Sequence, residues 1–328
     1  MNSHNLMLFF TIISIPLFFQ GCSSINHQAY FEKYEEAFRA KASYKTHHIQ
    51  RGEFFVHARE FGKRTNRPTL IMLHGFPDSM HLYDWLIPEL MDDRHIITFD
   101  FLGWGESDKP EGHSYDVASL RQDLEAVVAK FELEDVVLVL HDASGQPGID
   151  WALDNPENTA GLVLLNTYYS PMPTLKAPEA IELFSTPGLR RDLSVWATSL
   201  SDSIWLSRYN DQMSKFISTK ALREPFQKIL GHQSLKIRPA FYGLNRVLRE
   251  EIKKRESRLP ELADFRPPVL IIFGNDDPYL NAGVAKEFHN LFENSELFLI
   301  ENGGHFVQVD KPKRVADLLR GFPVPKSP

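Results

Sequence analysis

Six short, mainly apolar runs, at 69–73, 95–99, 136–140, 162–165, 269–273 and 297–300, constrain this chain more than any other feature. All but the last are flanked by Gly, Pro or Asp, and each is too short for a buried helix. Runs that are apolar at nearly every position suit strands covered on both faces, the normal state of strands in a parallel sheet. Helical spacing fills the intervals, at 117–131, 148–154, 284–292 and 315–320, the last of these following Pro312. Strand–helix alternation of this kind predicts a doubly wound α/β sheet. Upstream, 46–51 and 53–60 read as two further strands, and Gly52 between them predicts a hairpin.

The alternation breaks between Asn166 and Pro267. About a hundred residues there carry helical spacing without a convincing strand, with helices expected at 178–184, 189–205, 214–230 and 240–255. An all-helical insertion after the sixth strand reads as a lid over the carboxyl ends of the strands, where open α/β sheets bind ligands. The expected organisation is a core formed by 46–166 and 267–322 with a helical lid at 167–266. Segment 22–45 contains a polar, helix-compatible stretch, 28–41, that is either a tether or a helix lying on the body.

The N-terminus differs in kind. An apolar stretch at 6–19, short for a membrane span, runs into Phe19-Gln20-Gly21-Cys22-Ser23-Ser24. That is the shape of a secretory signal with a small residue before the cut. The segment resembles a bacterial lipoprotein signal. The resemblance implies that 1–21 is removed, that Cys22 is lipidated, and that Ser23 favours the outer membrane, facing the periplasm. Cys22 is the only cysteine, so a disulfide framework is excluded. A net charge of −7 without Lys/Arg clusters argues against nucleic acid as a partner. No histidine spacing calls for a metal, no cofactor is implied, and nothing sets an oligomeric state.

The chemically distinctive residues follow the strands rather than precede them. His74-Gly75-Phe76-Pro77 follows the 69–73 run, His141-Asp142-Ala143-Ser144 follows 136–140, Asp276-Asp277 follows 269–273, and Gly303-Gly304-His305-Phe306 follows 297–300. In a parallel sheet these positions converge on one rim. A side chain at the 140–145 strand-to-helix turn is pushed out above the sheet, at the positive end of a helix dipole. An aspartate there stays ionised and can attack carbon without a base to deprotonate it. It can also serve merely as a helix N-cap.

These motifs, with Asp100-Phe101-Leu102-Gly103-Trp104-Gly105-Glu106-Ser107-Asp108-Lys109-Pro110, resemble the epoxide hydrolase and haloalkane dehalogenase branch of the α/β-hydrolases. The resemblance runs from about Thr46 to Phe322. It implies Asp142 as nucleophile and His305 as the base that activates water against the resulting ester. It also implies that Asp277 orients His305, with the spacing from Gly274 favouring Asp277 over Asp276, and that the Phe76 and Ala143 N–H groups form the oxyanion hole. The chemistry agrees: ester hydrolysis passes through a tetrahedral oxyanion that needs fixed donors, and a histidine base needs a carboxylate to fix its tautomer.

Departures from the pattern bear on substrate class. Dehalogenases of this branch hold halide with side-chain N–H donors, commonly a Trp after the nucleophile and an Asn where Phe76 stands; Ala143 and Phe76 offer none. The resemblance therefore implies an epoxide hydrolase acting on a small apolar epoxide. In such enzymes one or two lid tyrosines protonate the ring oxygen, and Tyr242 and Tyr209 are the candidates, with Tyr168 and Tyr169 at the lid entrance. Leu140 and Ser144 stand in the elbow where the resembling enzymes usually carry Gly. A haloalkane dehalogenase, an esterase using Ser144, and a non-catalytic binding protein on a hydrolase scaffold are the alternatives.

Overall fold

The computed structural model describes residues 27–322. The signal-like segment and Cys22 lie outside the described residues. Eight strands form one sheet in the order β1-β2-β4-β3-β5-β6-β7-β8. They are β1 Tyr44–Arg51, β2 Phe54–Phe61, β3 Thr69–Leu73, β4 Ile96–Asp100, β5 Val136–Asp142, β6 Thr159–Thr167, β7 Val269–Gly274 and β8 Ser295–Ile300. Only β2 runs against its neighbours, pairing antiparallel with β1 and β4. The rest of the ladder is parallel, as continuous apolar runs require.

Strands β3 to β7 are buried along essentially their whole length. The 297–300 run departs from its expectation: β8 is the edge strand, half-buried, with Leu299 exposed. Its apolar composition serves one covered face only.

Helix α1 (His27–Lys41) lies on the body, burying Phe31 and Phe38. Helices α2 (Val117–Lys130) and α3 (Gly145–Asp154) follow β4 and β5. The helical insertion lies between β6 and β7 and comprises α4 (Glu179–Ser185), α5 (Leu189–Leu200), α6 (Asp202–Phe216), α7 (Lys220–Ser234), α8 (Arg238–Lys254) and α9 (Leu259–Asp264). Helices α10 (Ala282–Leu291), α11 (Val307–Asp310) and α12 (Pro312–Gly321) complete the core.

Two expected lid helices have different bounds for identifiable reasons. The helix expected at 189–205 is two helices. Ser201 adopts extended backbone and caps α6, its Oγ accepting from the Ile204 N–H at 3.3 Å. The helix expected from 214 starts at Lys220, because 217–219 is pulled straight by a residue distant in sequence. The Asp310 carboxylate accepts from the Ser218 and Thr219 N–H groups at 3.0 and 2.7 Å. The same carboxylate accepts from the Gly304 N–H at 2.8 Å, joining the lid to the loop that carries His305.

Candidate active site

Asp142 ends β5 with φ of 51°, the left-handed region that side chains other than glycine rarely adopt. The strain turns its carboxylate out of the sheet while Ala143 and Ser144 lead into α3. Two glycines make room for this turn. A Cβ at Gly75 would lie 2.5 Å from the Asp142 Cβ, and one at Gly148 would lie 2.3 Å from Leu140 Cδ2. Leu140 therefore fits a position where the pattern favours a small residue, because α3 supplies the missing space one turn in.

Ser144 is fully buried, and its hydroxyl is held by backbone. It donates toward Leu73 O at 3.0 Å and His141 O at 2.7 Å and accepts from the His141 N–H at 2.9 Å. It also occupies the N-cap position of α3, a place that Asp142 does not take.

Around Asp142 the rim assembles as a chain of contacts. The Phe76 N–H donates to Asp142 Oδ1 at 3.1 Å, and the Ala143 amide also stabilises this carboxylate. His305 Nε2 lies 3.7 Å from Oδ2, and His305 Nδ1 lies 2.8 Å from Asp277 Oδ2. The other oxygen of Asp277 accepts from the Tyr279 and Leu280 N–H groups at 2.8 and 3.1 Å. Asp276 faces elsewhere, accepting from Ser218 Oγ at 3.2 Å. The lid touches the histidine directly, with the Phe216 ring 4.6 Å from that of His305.

His74, just past β3, and His141, near the end of β5, hold backbone. His74 Nε2 accepts from the Phe101 N–H at 3.2 Å, and His141 Nε2 sits 3.1 Å from His305 O. The Asp100–Asp108 loop is structural as well. The Asp100 carboxylate accepts from the Met80 and Glu106 N–H groups at 2.7 and 2.8 Å, and Trp104 packs on the Phe76 ring at 4.4 Å.

Three buried polar residues join the site without having been singled out in the sequence. Asn166, near the end of β6, donates from Nδ2 to Asp277 Oδ2 at 3.0 Å and accepts from the Gly274 N–H at 2.7 Å. A polar residue closing an apolar strand on the same rim was the available signal. Asp78 lies behind the elbow, its Oδ2 3.9 Å from His141 Nδ1. Asp310 is the third.

Charges in this pocket are strongly coupled. Burial alone would lower the His305 pKa, but Asp277, Asp142 and Asp78 outweigh it and raise it to about 9. Burial would raise that of Asp277, but His305 and the two amides hold it below the usual carboxylate range. Burial raises that of Asp142, with His305 and the Phe76 and Ala143 amides opposing. Burial and the charge of Asp142 push Asp78 up to about 8.

A histidine whose folded pKa is raised contributes stability that is complete below its ordinary 6.5 and lost as pH climbs through about 9. His305→Gln should therefore abolish a pH-dependent fall of about 3 kcal/mol between pH 6 and 10, seen as the difference between wild-type and variant denaturant midpoints.

An apolar cavity between core and lid reaches the Asp142 and His305 side chains and is lined by Phe76, Tyr168, Trp205, Tyr209, Met213, Phe216, Phe241, Leu244 and Leu248, among others. Tyr209 lines it, with its hydroxyl donating to Pro77 O at 3.1 Å. Tyr242 does not: its hydroxyl pairs with Thr198 Oγ1 at 2.7 Å, and it borders a separate pocket with Arg191 and Trp196. Loose sequence surroundings on α8 could not tell which way that ring faces. Tyr169 also points away, donating to Asp150 Oδ1 at 2.6 Å. Tyr168 lines the cavity, and its hydroxyl has no hydrogen-bond partner among the described residues. Burial beside Asp142 pushes its pKa well up, so it keeps its proton.

Comparison with known proteins agrees with this architecture. Residues 68–312 match the family described as alpha/beta hydrolase fold. The chain is 24% identical over 275 residues to an uncharacterized hydrolase, YugF, of Bacillus subtilis, covering 80% of this chain and 92% of that one. Among solved structures, a bacterial membrane phospholipase A superposes with a TM-score of 0.72 at 21% identity, covering 90% of this chain and 91% of that one. The epoxide hydrolase CorEH superposes with a TM-score of 0.68 at 20% identity, covering 85% of this chain and 98% of that one. Similar proteins also include haloalkane dehalogenases, a lipase and proline iminopeptidases, so the likeness extends across several chemistries. A family match over most of the chain, on an eight-stranded sheet with a helical insertion after β6, makes this protein a member of the α/β-hydrolase family.

Proposed function

We propose that this hydrolase works through an ester on Asp142 and that its substrate is a small apolar epoxide. The observation that carries the reading is the division of labour within one carboxylate. Asp142 Oδ1 is held by the Phe76 N–H at 3.1 Å, while Oδ2 faces His305. Oδ2 attacks a ring carbon, the ring C–O bond breaks, and its electron pair goes to the ring oxygen, which takes the proton of Tyr168. His305 gives its resting proton to the Tyr168 phenolate and then takes a proton from water, and the hydroxide adds to the ester carbonyl carbon. The charge that appears on Oδ1 lies against the Phe76 N–H that already holds it, with the Ala143 amide beside the same carboxylate. Collapse expels the alkoxide, which takes the proton of the new carboxylic acid, so the diol leaves with Asp142 again a carboxylate and His305 again an imidazolium.

The raised pKa of His305 fits this order. In the resting enzyme its proton is held partly by the charge of Asp142. Alkylation removes that charge, so the imidazole becomes a base when the water step needs one. The halide reading is weaker, because the Trp205 Nε1–H on the cavity wall is engaged by Ser234 Oγ at 3.1 Å. The Ser144 reading is opposed by a hydroxyl bonded to backbone on both sides.

The experiment is a screen of small epoxides, haloalkanes and p-nitrophenyl esters, followed by tyrosine variants on the best substrate. Tyr168→Phe is expected to lower kcat on an epoxide by about 10²-fold with a smaller change in KM, because the acid acts only as the ring opens. Tyr242→Phe is expected to leave both nearly unchanged. Wild-type turnover by Tyr168→Phe removes the acid assignment, and turnover of haloalkanes or esters alone removes the epoxide class.

A further inference from the structure

Helix α5 is amphipathic in the wrong sense for a soluble surface. Leu189, Leu193, Trp196 and Leu200 are 74, 55, 63 and 69% exposed, whereas Thr198 on the packed face is buried. At 100° per residue, those four side chains fall within about 60° of arc. The stripe continues onto α6 through exposed Ile204, one turn before Arg208, which lines the mouth of the Asp142 cavity. Scattered exposed apolar residues are ordinary, but a contiguous stripe that includes a tryptophan marks a surface made to be covered.

We infer that the α5 face seats on a lipid surface, with the cavity mouth beside it. Three observations select lipid as the occupant. Arg190 and Arg208 flank the stripe and form no ion pair among the described residues, although the chain carries a net charge of −7. Unpaired cations beside exposed leucines and a tryptophan are the composition of an interfacial helix. The described chain also enters at the lid: α1 packs on α7, with Lys228 of α7 over the Tyr30 ring at 5.1 Å. From α7 the packing continues to α6 and then α5. Finally, only Ser23 to Asn26 separate Cys22 from His27, a tether reaching at most about 17 Å. A lipid on Cys22, as the signal-like segment implies, holds the lid near the membrane. Substrate of an apolar class would then reach the cavity from the lipid phase without crossing water.

The inference does not depend on the chemistry at Asp142. It is tested with the full chain on vesicles of phosphatidylethanolamine and phosphatidylglycerol, made with plain or brominated acyl chains. Trp196 is the one tryptophan among the five that is largely exposed, so the difference between wild type and Trp196→Phe reports on it alone. The expected result is a blue shift and bromine quenching of the Trp196 emission, both lost in Leu193→Asp/Leu200→Asp. These substitutions are on exposed positions, and unchanged circular dichroism verifies the fold. Equal Trp196 emission in plain and brominated vesicles overturns the inference. So does a lipid-free dimer, seen by sedimentation, that dissociates in the double variant, because the face then belongs to a second copy.

Discussion

His305→Gln is expected to perform one turnover and stop. Attack by Asp142 on an epoxide needs a carboxylate and an acid for the ring oxygen, and neither is supplied by the imidazole. Hydrolysis of the resulting ester needs a base for water, and among the described residues only His305 lies beside Oδ2 with its other nitrogen held by Asp277. Removing a positioned general base slows its step by about 10²–10⁴-fold, so the ester should accumulate. Mass spectrometry of the variant after incubation with substrate should find the chain heavier by one epoxide, on the peptide that contains Asp142. Glutamine is the suitable replacement, because it fills similar space and leaves the Phe216 contact in place. An unmodified chain that has also lost activity would mean that His305 acts before, not after, any covalent step.

The second large effect separates two candidate nucleophiles only two residues apart. Asp142→Ala should lose about 10⁴-fold or more in kcat, the scale found when an attacking group is deleted and only binding and the oxyanion donors remain. Ser144→Ala should retain most of its turnover. The Ser144 hydroxyl is spent on Leu73 O and His141 O, so its loss costs packing and hydrogen bonds rather than chemistry. The expected cost is about 1–3 kcal/mol of stability, read from denaturant midpoints. The reverse pattern, an active Asp142→Ala and an inactive Ser144→Ala on a p-nitrophenyl ester, would transfer the mechanism to the serine.

Much of this rim was readable because strand patterns and loop motifs are local signals. Continuous apolar runs fix β3 to β7, and the residue just past each run lands on the carboxyl edge whatever the side chains do later. Asp142, Asp277, His305 and Phe76 were accessible in that way. The residues that needed three dimensions are those whose partners lie far along the chain. Asn166 meets Asp277 across 111 positions, and Asp310 meets Thr219 across 91. Neither pairing leaves a periodicity or a motif. The lid tyrosines illustrate the same limit. Tyr242 and Tyr209 both sit on amphipathic helices, and only packing decides that Tyr209 borders the cavity while Tyr242 turns to Thr198. Likewise, helical spacing runs across Ser201 without a break, although backbone capping divides the segment into α5 and α6.

Asp310 has a mechanical meaning as well as a structural one. Its carboxylate grips the α6–α7 joint on one side and the glycine before His305 on the other. A door pinned at that corner would have its fulcrum beside His305. Any rocking of the lid about that corner would leave the contact with the His305 loop almost still. Under the proposed mechanism, a lid hinged there would admit substrate without loosening the loop that holds His305.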